Sequence, residues 1–174
     1  TPQNERQGGA GEVLPAGAEP DMERHVVYMK GQLEEIVTRT RPGLLWFDGE
    51  WEAPWTLERG EDLRDFLWAL DPRLVVNNRI GKGRDMAGGP LGPGDYDTPE
   101  QRIGAFRTDV PWETCMTVAT QWAWKPDDPV KPLDECLHAL ERCAAGDGNL
   151  LFNVGPHADG TIEPEQAPRL REMG

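Results

Sequence analysis

The sequence predicts an α/β chain that forms part of a parallel (β/α)8 TIM barrel, roughly its C-terminal half. Three observations lead there. Short apolar runs of strand length alternate with stretches of helical periodicity, the pattern of a parallel sheet with helices outside it. Polar and aromatic residues gather at or just past the C-terminal ends of those runs: Asp48, Asn77 with Arg79, Trp122 with Trp124, and Asn153. A doubly wound sheet fits the alternation equally well, but these positions favour a barrel, which collects its active site on that one face. Finally, the 174 residues hold four such runs, whereas a full barrel needs about 250 residues.

Residues 1–20, rich in Gly, Ala, Pro and Glu and without the apolar core of a signal peptide, are expected to form a loop. Residues 21–174 are expected to be the partial barrel. After Pro20-Asp21, which supplies an N-cap, Met22, Val26, Met29, Leu33 and Ile36 recur at helical spacing as far as Arg41-Pro42-Gly43. Leu44 to Phe47 is a continuous apolar run, the mark of a strand buried on both faces. Leu63, Phe66, Leu67 and Leu70 give the next helix, and Arg73 to Asn77 the next strand. Six Gly and three Pro between Gly81 and Pro99 make a loop. Thr114 to Ala119 reads as the third strand. Leu133, Cys136, Leu137, Leu140 and Ala144 mark a helix stopped by Gly146-Asp147-Gly148. Asn149 to Val154 is the fourth strand, and a last helix begins near Pro164.

Charge and composition exclude several classes. Eighteen Lys and Arg against 31 Asp and Glu leave a formal net charge of −13, which argues against nucleic acid and anionic membrane surfaces as partners. No apolar run approaches the roughly 18 residues of a membrane span. Cys115, Cys136 and Cys143 are odd in number, and the last two fall about 10 Å apart along one helix, too far to bridge. His25, His138 and His157 are scattered, so no metal site is expected. Seven Trp against two Tyr suit sugar stacking or simple core packing equally.

Asp48 carries the strongest chemical signal. It ends an apolar strand, precedes Gly49 and is flanked by Trp46 and Phe47, with Trp46 a candidate sugar-binding aromatic. A carboxylate on a rigid strand end can attack an anomeric carbon and form a glycosyl-enzyme ester. The plain alternative is a structural Asp-Gly turn. Retention requires a second carboxyl about 5 Å away, as acid and then base. Glu100 is one candidate, on the loop that leaves the second strand at its C-terminal end. Thr98-Pro99-Glu100-Gln101 also matches a capping box, in which Glu100 would only complement a helix dipole. Glu113 is the rival; it precedes the third strand, at the opposite face. Arg79 can hold sugar hydroxyls with its planar fork or pair with a neighbouring Asp. Trp122 can pack on a sugar face or in the core. Asn153 with Gly155-Pro156 reads as turn-shaping, and Glu50 and Glu52 as solvated loop charges.

Seven segments in order resemble glycoside hydrolase family 29, the α-L-fucosidases: YMKGQLEEIV, RPGLLWFDGEW, VVNNRIG, GDYDTPEQ, PWETCMT, QWAWKPDD and GNLLFNVGPHADGTI, from Tyr28 to Ile162. The resemblance implies a (β/α)8 barrel, usually followed by a β-sandwich, and cofactor-free hydrolysis of terminal α-L-fucosides with retention. It matches Asp48 to the nucleophile, Glu100 to the acid/base of several members with Glu113 as rival, Arg79 to a fucose-binding arginine, and Trp122 to an aromatic against the sugar's 6-methyl group. QWAWKP stands where a Trp-Gly-Tyr pattern is common, so Ala123 and Trp124 depart from it. The implied partner is a fucosylated oligosaccharide or glycoconjugate. Two other readings compete: a carbohydrate-binding protein without turnover on the same fold, and a half-domain inactive by itself.

Overall fold

The computed structural model describes residues 21–83, 92–104 and 106–174. The loop expected over residues 1–20 and the middle of the glycine-rich loop lie outside the described residues. The chain forms two compact units, one running to Gly83 and taking in Gly92–Gly94, the other including Asp95–Gly174.

The first unit opens with helix α1, Met22–Thr40, where Asp21 accepts a hydrogen bond from the Arg24 N–H at 3.0 Å. The chain turns out of α1 at Arg41, φ 50°, and Pro42 cannot continue the helix. Strand β1, Leu44–Leu45, follows, then helix α2, Leu57–Leu70, capped by Thr56, and strand β2, Val75–Val76. A single 3₁₀ turn, Asn78–Ile80, comes directly after. β1 and β2 pair in parallel, Leu44 beside Val75 and Leu45 beside Val76. Leu33 and Val37 of α1, Leu63 and Leu67 of α2, and Leu74, Val76 and Ile80 form the core, with Leu45 and Phe47 packed on it. α2 approaches so closely that a Cβ on Gly60 would lie 2.3 Å from the Ile80 carbonyl oxygen.

Burial here differs from expectation. Side chains alternate along a strand, so Leu44, Trp46 and Asp48 share the face away from the helices. Leu44 is 45% and Val75 37% exposed, so the run is not buried on both faces. Within this unit the helices cover one face only. α1 also rotates its expected stripe: Val26, Leu33 and Val37 are buried while Ile36 is exposed.

The second unit is built on β3, Glu113–Thr117, and β4, Asn149–Asn153, parallel over five residue pairs from Glu113–Asn149 to Thr117–Asn153. The segment expected to be the end of a loop is extended and bridges to this sheet in parallel, Asp97 beside Trp112 and Glu100 beside Cys115. Between the strands runs α3, Leu133–Ala145; α4, Gln166–Met173, closes the chain. α3 buries Cys136, Ala139 and Cys143, small residues that let it approach the sheet, and exposes Leu140 and Ala144, which the periodicity had placed inside. The three cysteines are free and buried. After α3 it is Asp147, φ 60°, that takes the left-handed turn. Gly148 serves another purpose: a Cβ there would lie 2.1 Å from the buried Trp112 indole.

The four strands thus run as two parallel pairs in β/α order, and the described residues form no closed barrel. No helix among them is long and apolar enough to cross a membrane.

Candidate active site

In the first unit, β1 and β2 deliver Asp48, Trp46 and Arg79 to one place. Backbone pairing of the two strands is only two residues long, but the Asn77 side chain extends it. Its Oδ1 accepts from the Phe47 N–H at 3.0 Å, and its Nδ2 donates to the Phe47 carbonyl at 2.9 Å. A buried amide therefore clamps the residue just before Asp48. Gly49, φ 102°, then turns the chain sharply, in a conformation that costs other residues strain. Asp48 projects from this fixed end with its side chain 51% exposed, and its Oδ1 lies 2.6 Å from Arg79 Nη1.

Arg79 is itself 3% exposed, on the 3₁₀ turn, with its guanidinium 4.4 Å from the centre of the Trp46 ring. Its ion pair with a neighbouring Asp is thus an ion pair with the candidate nucleophile. A buried cation beneath a half-exposed carboxylate holds one oxygen and leaves Oδ2 outside that pair. Trp46 backs the guanidinium as a cation–π partner. Glu50, read from sequence as a solvated loop charge, is instead buried at 6% exposure.

The second unit carries Glu100, Glu113 and Trp122. The capping-box reading of Thr98 to Gln101 does not hold, because no helix follows among the described residues. Gln101 turns with φ 53°, and its N–H donates to the Cys115 carbonyl at 2.9 Å, so the sheet claims the backbone that a helix would have used. Its amide nitrogen also donates to Thr117 Oγ1 at 3.2 Å. Register then separates the two glutamates. Glu100 lies beside Cys115, and Glu113 lies two positions earlier on β3. Glu100 is therefore about 7 Å nearer the C-terminal end of the sheet. Both are half-buried. Asp97, 2% exposed, pairs with Arg107 at 2.7 Å and pins the start of this segment.

Trp122 sits on the loop after β3, 41% exposed. Asn153 donates from Nδ2 to the Trp122 carbonyl at 2.8 Å, so the turn-shaping residue at the end of β4 fixes the Trp122 backbone. Asp128 organises the rest of the loop, accepting from the Thr120 and Gln121 N–H groups at 3.1 Å each and from the Thr120 hydroxyl. Burial pushes the Asp128 carboxyl up, but these hydrogen bonds and Lys125 outweigh it and hold it below the usual range. Lys131 Nζ closes the end of β3, donating to the Thr117 and Ala119 carbonyls at 2.5 and 3.0 Å. Asn77 was noted from sequence only as a polar residue at a strand end, without its clamping role, and Gln101, Asp128 and Lys131 were not assigned to the site; those three depend on which loop meets which strand.

The family model described as alpha-L-fucosidase matches residues 10–174. An alpha-L-fucosidase from Branchiostoma floridae is 31% identical over 150 residues, covering 82% of this chain and 32% of that protein. Among solved structures, alpha-L-fucosidase isoenzyme 1 from Paenibacillus thiaminolyticus superposes with TM-score 0.76 at 29% identity, over 91% of this chain and 40% of its own. A GH29 alpha-L-fucosidase from Bacteroides thetaiotaomicron, trapped as a covalent intermediate with 2-fluoro-fucosyl fluoride in a mutant, has TM-score 0.68 at 26% identity, over 85% and 38%. The chain spans about a third of the length of the curated relatives it matches.

Proposed function

Because this chain belongs to the α-L-fucosidase family, we propose that its protein is a retaining exo-glycosidase that removes terminal α-L-fucosyl residues from glycoconjugates. Residues 21–174 supply part of a (β/α)8 barrel. The open strand face bearing Leu44, Trp46 and Asp48 supports this, since a barrel turns that face inward and its helices outward.

The observation that carries the reading is the half-exposed Asp48 carboxylate, held through Oδ1 by a buried Arg79 at a clamped strand end. Asp48 Oδ2 attacks the anomeric carbon as the bond to the aglycone oxygen breaks, and Glu100 gives its proton to that oxygen. The Glu100 carboxylate then takes a proton from water, whose oxygen attacks the same carbon and releases Asp48. Two inversions give retention. Glu100 rather than Glu113 takes this role because its register lies nearer the C-terminal ends of the strands. Arg79 positions Asp48 and takes part in holding the fucose hydroxyls through its planar guanidinium. Trp46 and Trp122 pack on the sugar. The covalent intermediate trapped in the Bacteroides relative supports an ester step.

The test is chemical trapping. Incubating the intact protein with 2-deoxy-2-fluoro-α-L-fucosyl fluoride should place one fluorofucosyl group on the peptide containing Asp48, read by fragmentation mass spectrometry. A label on another carboxylate would displace Asp48, and no turnover of any fucoside would refute the activity.

A further inference from the structure

The loops that follow β3 and β4 carry a cluster the reaction above does not use. Trp124, His157 and Glu163 meet there. Glu163 Oε2 accepts from Trp124 Nε1 at 2.6 Å and lies 2.7 Å from His157 Nε2. The imidazole lies against the indole, ring centres 4.9 Å apart and planes tilted by 38°. The two loops press together at Gly155, where a Cβ would come within 2.7 Å of the Trp124 backbone nitrogen.

Trp124 is thus tied at its polar edge and backed by a second ring, yet 41% of it stays exposed. An indole left in water forgoes much of the stabilisation that burial would bring. A tether that keeps it there, rather than letting it fold inward, fixes a flat apolar surface with Glu163 at its N–H edge and His157 beside it. Such a surface fits the C–H face of a pyranose, and the polar atoms beside it fit the hydroxyls at the ring's rim. Glu163 Oε1 and His157 Nδ1 take no part in the bonds above, and their side chains are 28% and 30% exposed. These loops leave the strands at Thr117 and Asn153, the end toward which Glu100 lies relative to Glu113.

We propose that Trp124, His157 and Glu163 form a subsite for the sugar to which the fucose is attached, a platform that stacks a neutral pyranose and accepts its hydroxyls. Glu163 sets the preference for a neutral ring, since a uronic or sialic acid would bring a like charge. The inference rests on the fucosidase reading and deepens it.

The test compares two donors in the intact protein. α-L-Fucosyl fluoride has a one-atom leaving group, whereas a fucosyl-galactose disaccharide has a ring to stack. With Trp124→Ala, the fall in kcat/KM on the disaccharide should exceed the fall on the fluoride by about tenfold, as expected for one lost ring contact. Trp124→Phe keeps a face but loses the N–H tether, and should lie between. Should Trp124→Ala fail to fold by thermal melt, Trp124→Phe and His157→Ala carry the same comparison. Equal falls on both donors, or none on the disaccharide, would overturn the subsite. If the wild type cleaves neither donor, the fucosidase reading fails by itself. Saturation-transfer NMR with methyl β-galactoside then decides the platform. Loss of the transfer signal in the variant upholds it, and an unchanged signal overturns it.

Discussion

Replacing Asn77 should loosen the nucleophile without touching it. Asn77 is fully buried, and its amide makes one hydrogen bond each way to the Phe47 backbone, at 3.0 and 2.9 Å. Asn77→Ala removes both. At about 0.5–1.5 kcal/mol net per bond, the loss in stability should be about 1–3 kcal/mol. Asn77→Asp should be worse than Ala. It can still accept from the Phe47 N–H, but it sets a carboxylate oxygen against the Phe47 carbonyl in a site that water does not reach. Asp48 is the next residue, and a displacement of about 1 Å at a reacting group can cost on the order of 10²-fold. We therefore expect kcat on α-L-fucosyl fluoride to fall about 10- to 100-fold in Asn77→Ala, with a smaller change in KM. Urea unfolding of the intact protein gives the first number and steady-state kinetics the second. Asn77→Ala with stability within about 0.5 kcal/mol of wild type and full turnover, or Asn77→Asp more stable than Asn77→Ala, would refute the clamp.

Other changes probe other parts of the account. Glu100→Ala should cost about 10²–10⁴-fold on a fucoside with a poor leaving group and much less on the fucosylation of an activated aryl fucoside; if Glu113→Ala alone shows that dependence, Glu113 is the acid/base. Gly148→Ala forces a methyl against the Trp112 indole and should destabilise by about 1–3 kcal/mol or more, measured by urea unfolding. The Asp128 carboxyl is held below its ordinary value when folded, so its contribution is complete above that value and fades as pH falls through the folded one. Asp128→Asn should therefore flatten the acid limb of a stability-versus-pH curve below about pH 4.

Much of the frame was legible because it is local. Apolar runs, helical spacing and the Asp21 cap located the four α-helices and the four strands, though the second helix begins at Leu57, six residues before its expected stripe, and the 3₁₀ turn at Asn78–Ile80 was not foreseen; Asp48 at a strand end next to Gly49 announced itself. What escaped depends on contacts between distant segments. The Arg79–Asp48 pair and the Asn77 clamp join residues 31 and 30 positions apart. The capping-box pattern at Thr98 was overridden because the Gln101 N–H meets the Cys115 carbonyl instead of opening a helix. Glu50 looked like a loop charge, yet it is buried, just past the left-handed turn at Gly49. On α3, the expected stripe caught Cys136 but took Leu140 and Ala144 where the sheet instead buries Ala139 and Cys143.

The central claim is that Asp48 forms the glycosyl ester, and Asp48→Gly tests it most directly. Glycine removes the carboxylate and leaves room beside the anomeric carbon for a small anion. With an activated α-L-fucosyl donor the variant should lose about 10³-fold or more in turnover, remain folded with a lowered unfolding midpoint because the buried Arg79 loses its carboxylate partner, and regain part of the rate in azide. NMR of the product should show β-L-fucosyl azide, the inverted anomer expected from a single displacement at the vacated position. Near-normal turnover without azide, or no rescue and no β-azide from a folded variant, would contradict the assignment.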